Sequence, residues 1–156
     1  MKENYPIKFL DLKAINQAFE PELTKTLIEI SQSGQYVNGE ISAKFEKNFA
    51  TYTGTEHCIS LGNGTNALEL ILRAYLFMGI LEKGDEILVP ANTFFATFLA
   101  ISNQGFVPVP VEPDPTTFNI CAKRIEQKIT GKSRALLLVH LFGRNAFNEE
   151  IEQLVD

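Results

Sequence analysis

Short apolar strand-like runs alternate with longer segments of helical spacing along most of this 156-residue chain. That alternation predicts an α/β layered fold on a mainly parallel sheet. Two further observations support it. Residues 86–89 and 135–139 are near-continuous apolar runs, the pattern of strands covered on both faces rather than one. Hydrophobic residues make up 45% of the chain, enough for a substantial core at this length.

Taken in order, residues 7–12 read as a short extended or looped apolar segment. Pro21 suits the first turn of a helix running towards Ile30, with Leu23, Leu27 and Ile30 on one stripe and Gly34 at its C-terminal cap. Residues 35–39 form a turn. Ile41, Phe45, Phe49 and Tyr52, spaced by four, four and three, define a second amphipathic helix whose aromatic face is expected in the core. A first strand is expected at residues 58–61. It runs through Gly62 and Gly64 into a helix from Asn66 to about Met78, apolar on several faces and therefore expected to be well buried. A turn at residues 83–85 leads to the strand at 86–89, and Phe94, Phe98 and Ile101 mark a helix ending near Gly105. Residues 107–111, Val-Pro-Val-Pro-Val, are a strand whose prolines fit a sheet edge. A loop, a short helix over 121–129, the strand at 135–139 and a final helix from near Phe147 complete the chain.

The turn at residues 57–68 carries the chemistry. Glycines one residue apart let the backbone bend and approach a ligand, and the unpaired amides of a first helical turn converge on one point. With the helix dipole, such a turn suits a phosphate or another anion; a plain strand-to-helix turn with an Asn or Thr cap is the structural alternative. Gly62, Gly64 and Ala67 fit the relaxed dinucleotide fingerprint. That reading is set aside, because Asp85 and Glu86 start the following strand instead of ending it, where a ribose-binding acid belongs.

Totals exclude other classes. A formal net charge of −5 leaves no basic footprint for nucleic acid. Cys58 and Cys121 are far apart and only two histidines accompany them, so neither a zinc site nor a disulfide framework is expected. Residues 1–6 are polar, with no apolar leader after them, and no run approaches the ~20 apolar residues of a membrane span. A soluble cytoplasmic protein is expected. Ligands in open α/β sheets sit beyond the carboxyl ends of the strands. Residues 62–66, 92–95, 112–114 and 140–143 are expected there.

With these segments side by side, the chain resembles the N-terminal part of a nucleotide-sugar aminotransferase of the DegT/DnrJ/EryC1/StrS family, which depends on pyridoxal 5'-phosphate (PLP) and has fold type I. The resemblance rests on Phe-Leu-Asp-Leu-Lys-Ala-Ile-Asn at 9–16, Gly-Asn-Gly-Thr-Asn-Ala-Leu at 62–68 and Gly-Asp-Glu-Ile-Leu-Val-Pro at 84–90. Asn-Thr-Phe-Phe-Ala-Thr at 92–97 and Val-His-Leu-Phe-Gly at 139–143 complete it. The opening at 9–12 and Val-Glu-Pro-Asp-Pro at 111–115 look most similar to transaminases of dTDP-3-keto-6-deoxyhexoses.

The resemblance implies that Gly64, Thr65 and Asn66 bind the cofactor phosphate and that Phe94 stacks on its pyridine ring. His140 receives no chemical role and reads as a structural histidine. Arg144 and Asn145 stand where a Gln-Pro type of continuation is more usual. No lysine lies in the context of the family's Schiff-base lysine, and the acid that pairs with the pyridine nitrogen also belongs to a motif beyond residue 156. Residues 1–156 are therefore expected to be the N-terminal portion of a three-layer PLP-binding large domain, with no catalytic residue or metal of its own and no activity alone. For the complete enzyme the resemblance implies glutamate as amino donor, a nucleotide-linked keto-deoxyhexose as acceptor, and a homodimer. A PLP-dependent sugar dehydratase, in which histidine replaces the lysine, and a non-catalytic truncated binding module are the alternatives.

Overall fold

The computed structural model describes residues 7–155. The polar opening at 1–6, where no leader is expected, and Asp156 lie outside the described residues. The chain divides into two compact units, Met1–Ser60 and Leu61–Asp156.

The first unit is helical: α1 (Leu12–Gln17), α2 (Glu22–Ser33) and α3 (Glu40–Thr53). Helix α1 falls where only an extended or looped segment is expected at its start. Asp11 caps it, its Oδ1 accepting from the Ala14 amide at 3.1 Å. The Lys8 ammonium and then the Ala14 amide hold the Asp11 carboxyl below its ordinary range. Helix α2 follows Pro21 and ends at Gly34, whose φ of 66° is the left-handed cap glycine supplies at least cost. Helix α3 has the expected stripe, with the Phe45 and Phe49 ring centroids 5.6 Å apart and those of Phe49 and Tyr52 6.2 Å apart. The expectation that this face is core is not met. Phe45 is 53% exposed and Tyr52 85% exposed. Helical spacing decides which side chains share a face, whereas burial needs a second element laid over it.

The expected first strand is also corrected: residues 58–61 belong to no strand and make no ladder. A strand exists only with a hydrogen-bonded neighbour. Ser60 is instead tied to α3, its amide and hydroxyl donating to Glu46 Oε1 at 2.8 and 2.7 Å. Those two bonds keep the Glu46 carboxyl below its ordinary range.

The second unit contains α4 (Gly64–Phe77), β1 (Glu86–Pro90), α5 (Phe95–Asn103), β2 (Val107–Val111), α6 (Ala122–Glu126), β3 (Ser133–Leu136), a 3₁₀ turn at Leu141–Gly143 and α7 (Glu149–Val155). Its three strands form a parallel sheet in the order β2-β1-β3. The two prolines of β2 are accommodated by strand geometry. Val107 donates to Asp85 and Val111 accepts from Ala91, so the odd-numbered residues face β1. Pro108 and Pro110 point their missing N–H groups to the open edge, where no ladder bond is lost.

Side chains of β1 alternate between two cores. Ile87 and Val89 join Leu72, Leu81, Ala100, Ile101 and Phe106, beneath α4 and α5. Leu88 joins Val111, Ile120, Ala122, Ile125 and Ile151, beneath α6 and α7. The result is a helix–sheet–helix sandwich, as expected. Helix α4 itself is less buried than its composition suggests, with Leu72 its one buried residue. Leu68 and Leu76 are partly buried against the same core, whereas Ile71 and Phe77 are exposed.

Ile101 has no exposed surface. Ile101→Ala should therefore destabilise the chain by about 2–5 kcal/mol, the range for emptying a fully buried aliphatic site. Denaturant titration of both proteins measures this as a shift in midpoint at unchanged slope.

Candidate functional site

Three loops leave the carboxyl ends of the sheet, and hydrogen bonds between residues distant in sequence join them. The Ala91 amide after β1 donates to Val111 at the end of β2 at 2.8 Å. Asn92 Nδ2 donates to the Phe118 carbonyl at 2.9 Å. Asn119 Nδ2 donates to the Asn145 carbonyl at 2.8 Å, which ties the β2 loop to the loop after β3. His140 accepts at Nδ1 from the Ala146 amide at 3.0 Å, so its role in the loop is structural. The β2 loop is tightened from within by Asp114, whose Oδ1 accepts from the amides of Thr116 and Thr117 at 2.9 and 2.8 Å. The Thr117 amide first and the Thr116 amide second lower the Asp114 carboxyl below its ordinary range, and the Arg124 charge adds a smaller contribution.

The glycine turn begins α4 as expected, and its cap is Asn63, an Asn cap of the kind the structural alternative allowed. Asn63 is extended, with φ −166° and ψ 172°, and its Oδ1 accepts from the Asn66 amide at 2.9 Å. The Ala67 amide donates to the Asn63 carbonyl. The amides of Gly64 and Thr65, with the Thr65 hydroxyl, are then left without a hydrogen-bond partner among the described residues. A first helical turn aims such donors outward along the axis, and its dipole adds positive potential. Nothing in the chain demands glycine at 64: its φ is not left-handed, and an added Cβ would meet no atom within 4 Å. Two amides, a hydroxyl and an open approach suit a phosphate group. Asn66 contributes differently, since its amide is consumed by the cap. Its side-chain Oδ1 would lie 3.3 Å from a Cβ added at Gly62, which places its carboxamide close against that glycine.

Phe94 is the residue immediately before α5, at the carboxyl end of β1, with φ −63° and ψ 139°. Its ring is 81% exposed. Helices α4 and α5 pack together through Leu72, Ala100 and Ile101, and Asn103 Nδ2 donates to Glu69 Oε1 at 2.6 Å. Gly64, Thr65 and Asn66 share one turn, whereas no hydrogen bond joins them to Phe94 among the described residues. A polar cleft of about 280 Å³ between the β2 and β3 loops is lined by residues including Thr117, Asn119 and Arg144. An apolar groove of about 480 Å³ runs beside β3 along Leu136, Leu138, Ile151 and Leu154. Neither is lined by the four expected cofactor residues.

From the sequence the cap is an unspecified Asn or Thr, and neither Asn92 nor Asn119 is assigned an organising role. Asn63 carried a usable signal, being an N-cap residue type three positions before Asn66. Asn119 carried none, since its partner lies 26 residues away.

Residues 17–156 match the DegT/DnrJ/EryC1/StrS aminotransferase family. The chain is 44% identical over 145 residues to the dTDP-3-amino-3,6-dideoxy-alpha-D-galactopyranose transaminase of Aneurinibacillus thermoaerophilus, covering 93% of this chain and 39% of that protein. Among solved structures, Streptomyces venezuelae DesV superimposes with a TM-score of 0.86 at 37% identity, over 95% of this chain and 39% of that one. A more distant structure, the Escherichia coli GDP-4-keto-6-deoxy-D-mannose-3-dehydratase with bound hydrated PLP, gives a TM-score of 0.81 at 26% identity, over 97% of this chain and 38% of that one. The chain thus spans about two-fifths of the length of these relatives.

Because Asn63 is the cap, Asn63→Ala should cost about 0.5–2 kcal/mol of stability. Thr65→Ala, at a partly exposed position outside the cap, should stay within about 0.5 kcal/mol of the parent chain. Chemical denaturation of the two variants side by side measures the difference.

Proposed function

The chain belongs to the DegT/DnrJ/EryC1/StrS aminotransferase family, and from that premise we propose that residues 1–156 form the N-terminal portion of the PLP-binding large domain of a sugar aminotransferase. The complete enzyme would move an amino group from glutamate to a keto group of a nucleotide-linked deoxyhexose. The observation that carries the reading is the start of α4, where two amides and a hydroxyl have no hydrogen-bond partner among the described residues. The family reading supplies the guest that donor set suits.

In this reading the Gly64 and Thr65 amides and the Thr65 hydroxyl hold the cofactor phosphate, with the helix dipole behind them. Gly64 lets the phosphate approach the backbone. The Asn66 carboxamide, lying against Gly62, closes one side of the turn. The exposed Phe94 ring offers a flat apolar face for the pyridine ring. These residues bind and orient. The cofactor itself supplies the electron sink on which amino-group transfer depends. None of the four moves a proton, and no catalytic residue is assigned to this chain. The same reading makes the complete enzyme a cytoplasmic homodimer.

The acceptor is proposed to be a dTDP-linked 3-keto-6-deoxyhexose. Support comes from the motifs at 9–12 and 111–115 and from the 44% identity to a dTDP-3-amino-3,6-dideoxy-alpha-D-galactopyranose transaminase.

Two outcomes test the reading in the complete enzyme. Thr65→Ala should weaken PLP binding by about 1.5–3 kcal/mol, the range for hydrogen bonds to charged groups. Phe94→Ala should weaken it by about 0.5–1.5 kcal/mol, plus any packing lost. Titration of the apoenzyme with PLP measures both, and unchanged affinity in Thr65→Ala would remove the phosphate assignment.

Substrate class is tested separately, by incubation with glutamate and either a dTDP-3-keto or a dTDP-4-keto hexose while 2-oxoglutarate formation is followed. Turnover of the 3-keto sugar is expected. Turnover of the 4-keto sugar alone would remove the dTDP-3-keto assignment, and water elimination without 2-oxoglutarate would favour a dehydratase.

A further inference from the structure

The loop after β3 turns back through two consecutive left-handed residues, Phe142 at φ 51° and Gly143 at φ 77°. Glycine takes that conformation freely. A phenylalanine there is strained and persists only where its surroundings over-determine the backbone. Its own ring does not supply the restraint, because Phe142 is fully exposed.

The turn's own backbone bonds, Gly143 to His140 and Arg144 to Leu141, span it, and two further bonds anchor the segment around it. The Ala146 amide donates to His140 Nδ1 at 3.0 Å and closes the loop across its base. The Asn145 carbonyl accepts from Asn119 Nδ2 at 2.8 Å and fastens the loop to its β2 neighbour. Asn119 is 8% exposed and Ala146 is also buried, so water competes poorly for either bond. A ring nitrogen that accepts an amide proton carries no proton of its own. The neutral imidazole at 140 must therefore hold its hydrogen on Nε2.

We propose that His140 and Asn119 are positioning residues, a two-point clamp that fixes residues 141–146 at the carboxyl end of the sheet and so pre-organises the wall that Arg144, Asn145 and Ala146 contribute to the polar cleft between the β2 and β3 loops. The clamp follows from the hydrogen bonds alone, and any consequence of that cleft for catalysis rests on the aminotransferase reading.

Histidine variants separate positioning from bulk. Asparagine at 140 can place an oxygen where Nδ1 lies, whereas glutamine places one near the position of Nε2. In the full ¹⁵N-labelled chain, His140 Nδ1 should resonate as an unprotonated, hydrogen-bond-accepting nitrogen. Hydrogen exchange at Ala146 should accelerate roughly tenfold in His140→Gln, as for the loss of one partly buried bond, and stay near the parent rate in His140→Asn. It should also accelerate in Asn119→Ala. The Leu137 amide, which donates to Leu88 in the sheet, reports global opening and should be unchanged in His140→Gln. A proton on Nδ1, equal Ala146 rates in the Gln and Asn variants, or a Leu137 acceleration matching that of Ala146 would each overturn the proposal. None of these readouts involves PLP, so loss of the phosphate assignment would leave the clamp standing, and the converse also holds.

Discussion

The second unit depends on β1 being paired on both sides and covered on both faces. Its ladders to β2 and β3 account for the sheet, and its alternating side chains seed both cores, Ile87 and Val89 on one face and Leu88 on the other. Every other element of the unit is placed by what it offers that strand. Helices α4 and α5 cover one face, α6 and α7 cover the other, and β2 can spend prolines at its outer edge because β1 needs only its inner one.

Parallel strands deliver their carboxyl ends to one side of the sheet, which concentrates loops there. These loops are stitched by carboxamides: Asn92 to Phe118 and Asn119 to Asn145. Each side chain satisfies a carbonyl that regular structure cannot reach. The cost appears as left-handed backbone at Phe118 and Phe142, two bulky residues in conformations that favour glycine. Strain of this kind, gathered at the ligand-bearing end of a sheet, fits loops built for shape ahead of stability.

Asn63 shows how a turn can cap its own helix and still leave outward donors for a guest. By spending its side chain on the Asn66 amide, it satisfies the inner donor and leaves the outer ones, at Gly64 and Thr65, to face outward. Capping and anion binding draw on different amides of the same turn, so the two readings of this stretch are compatible.

The order and type of most elements were legible in the amino-acid sequence, because they follow from interactions within a few residues. The cap at Gly34, the proline spacing of β2, the apolar runs of β1 and β3 and the glycine turn before α4 are all of this kind. So is the family, through ordered motifs that span the chain. The tertiary structure alone decided matters that depend on partners far away in sequence. It showed that residues 58–61 lack a ladder and that the stripe of α3 lies exposed. It also showed that Asn119 and His140 hold the β3 loop. Periodicity records which side chains point the same way. What lies opposite them, and whether a polar group finds its mate, is set only when the chain closes on itself.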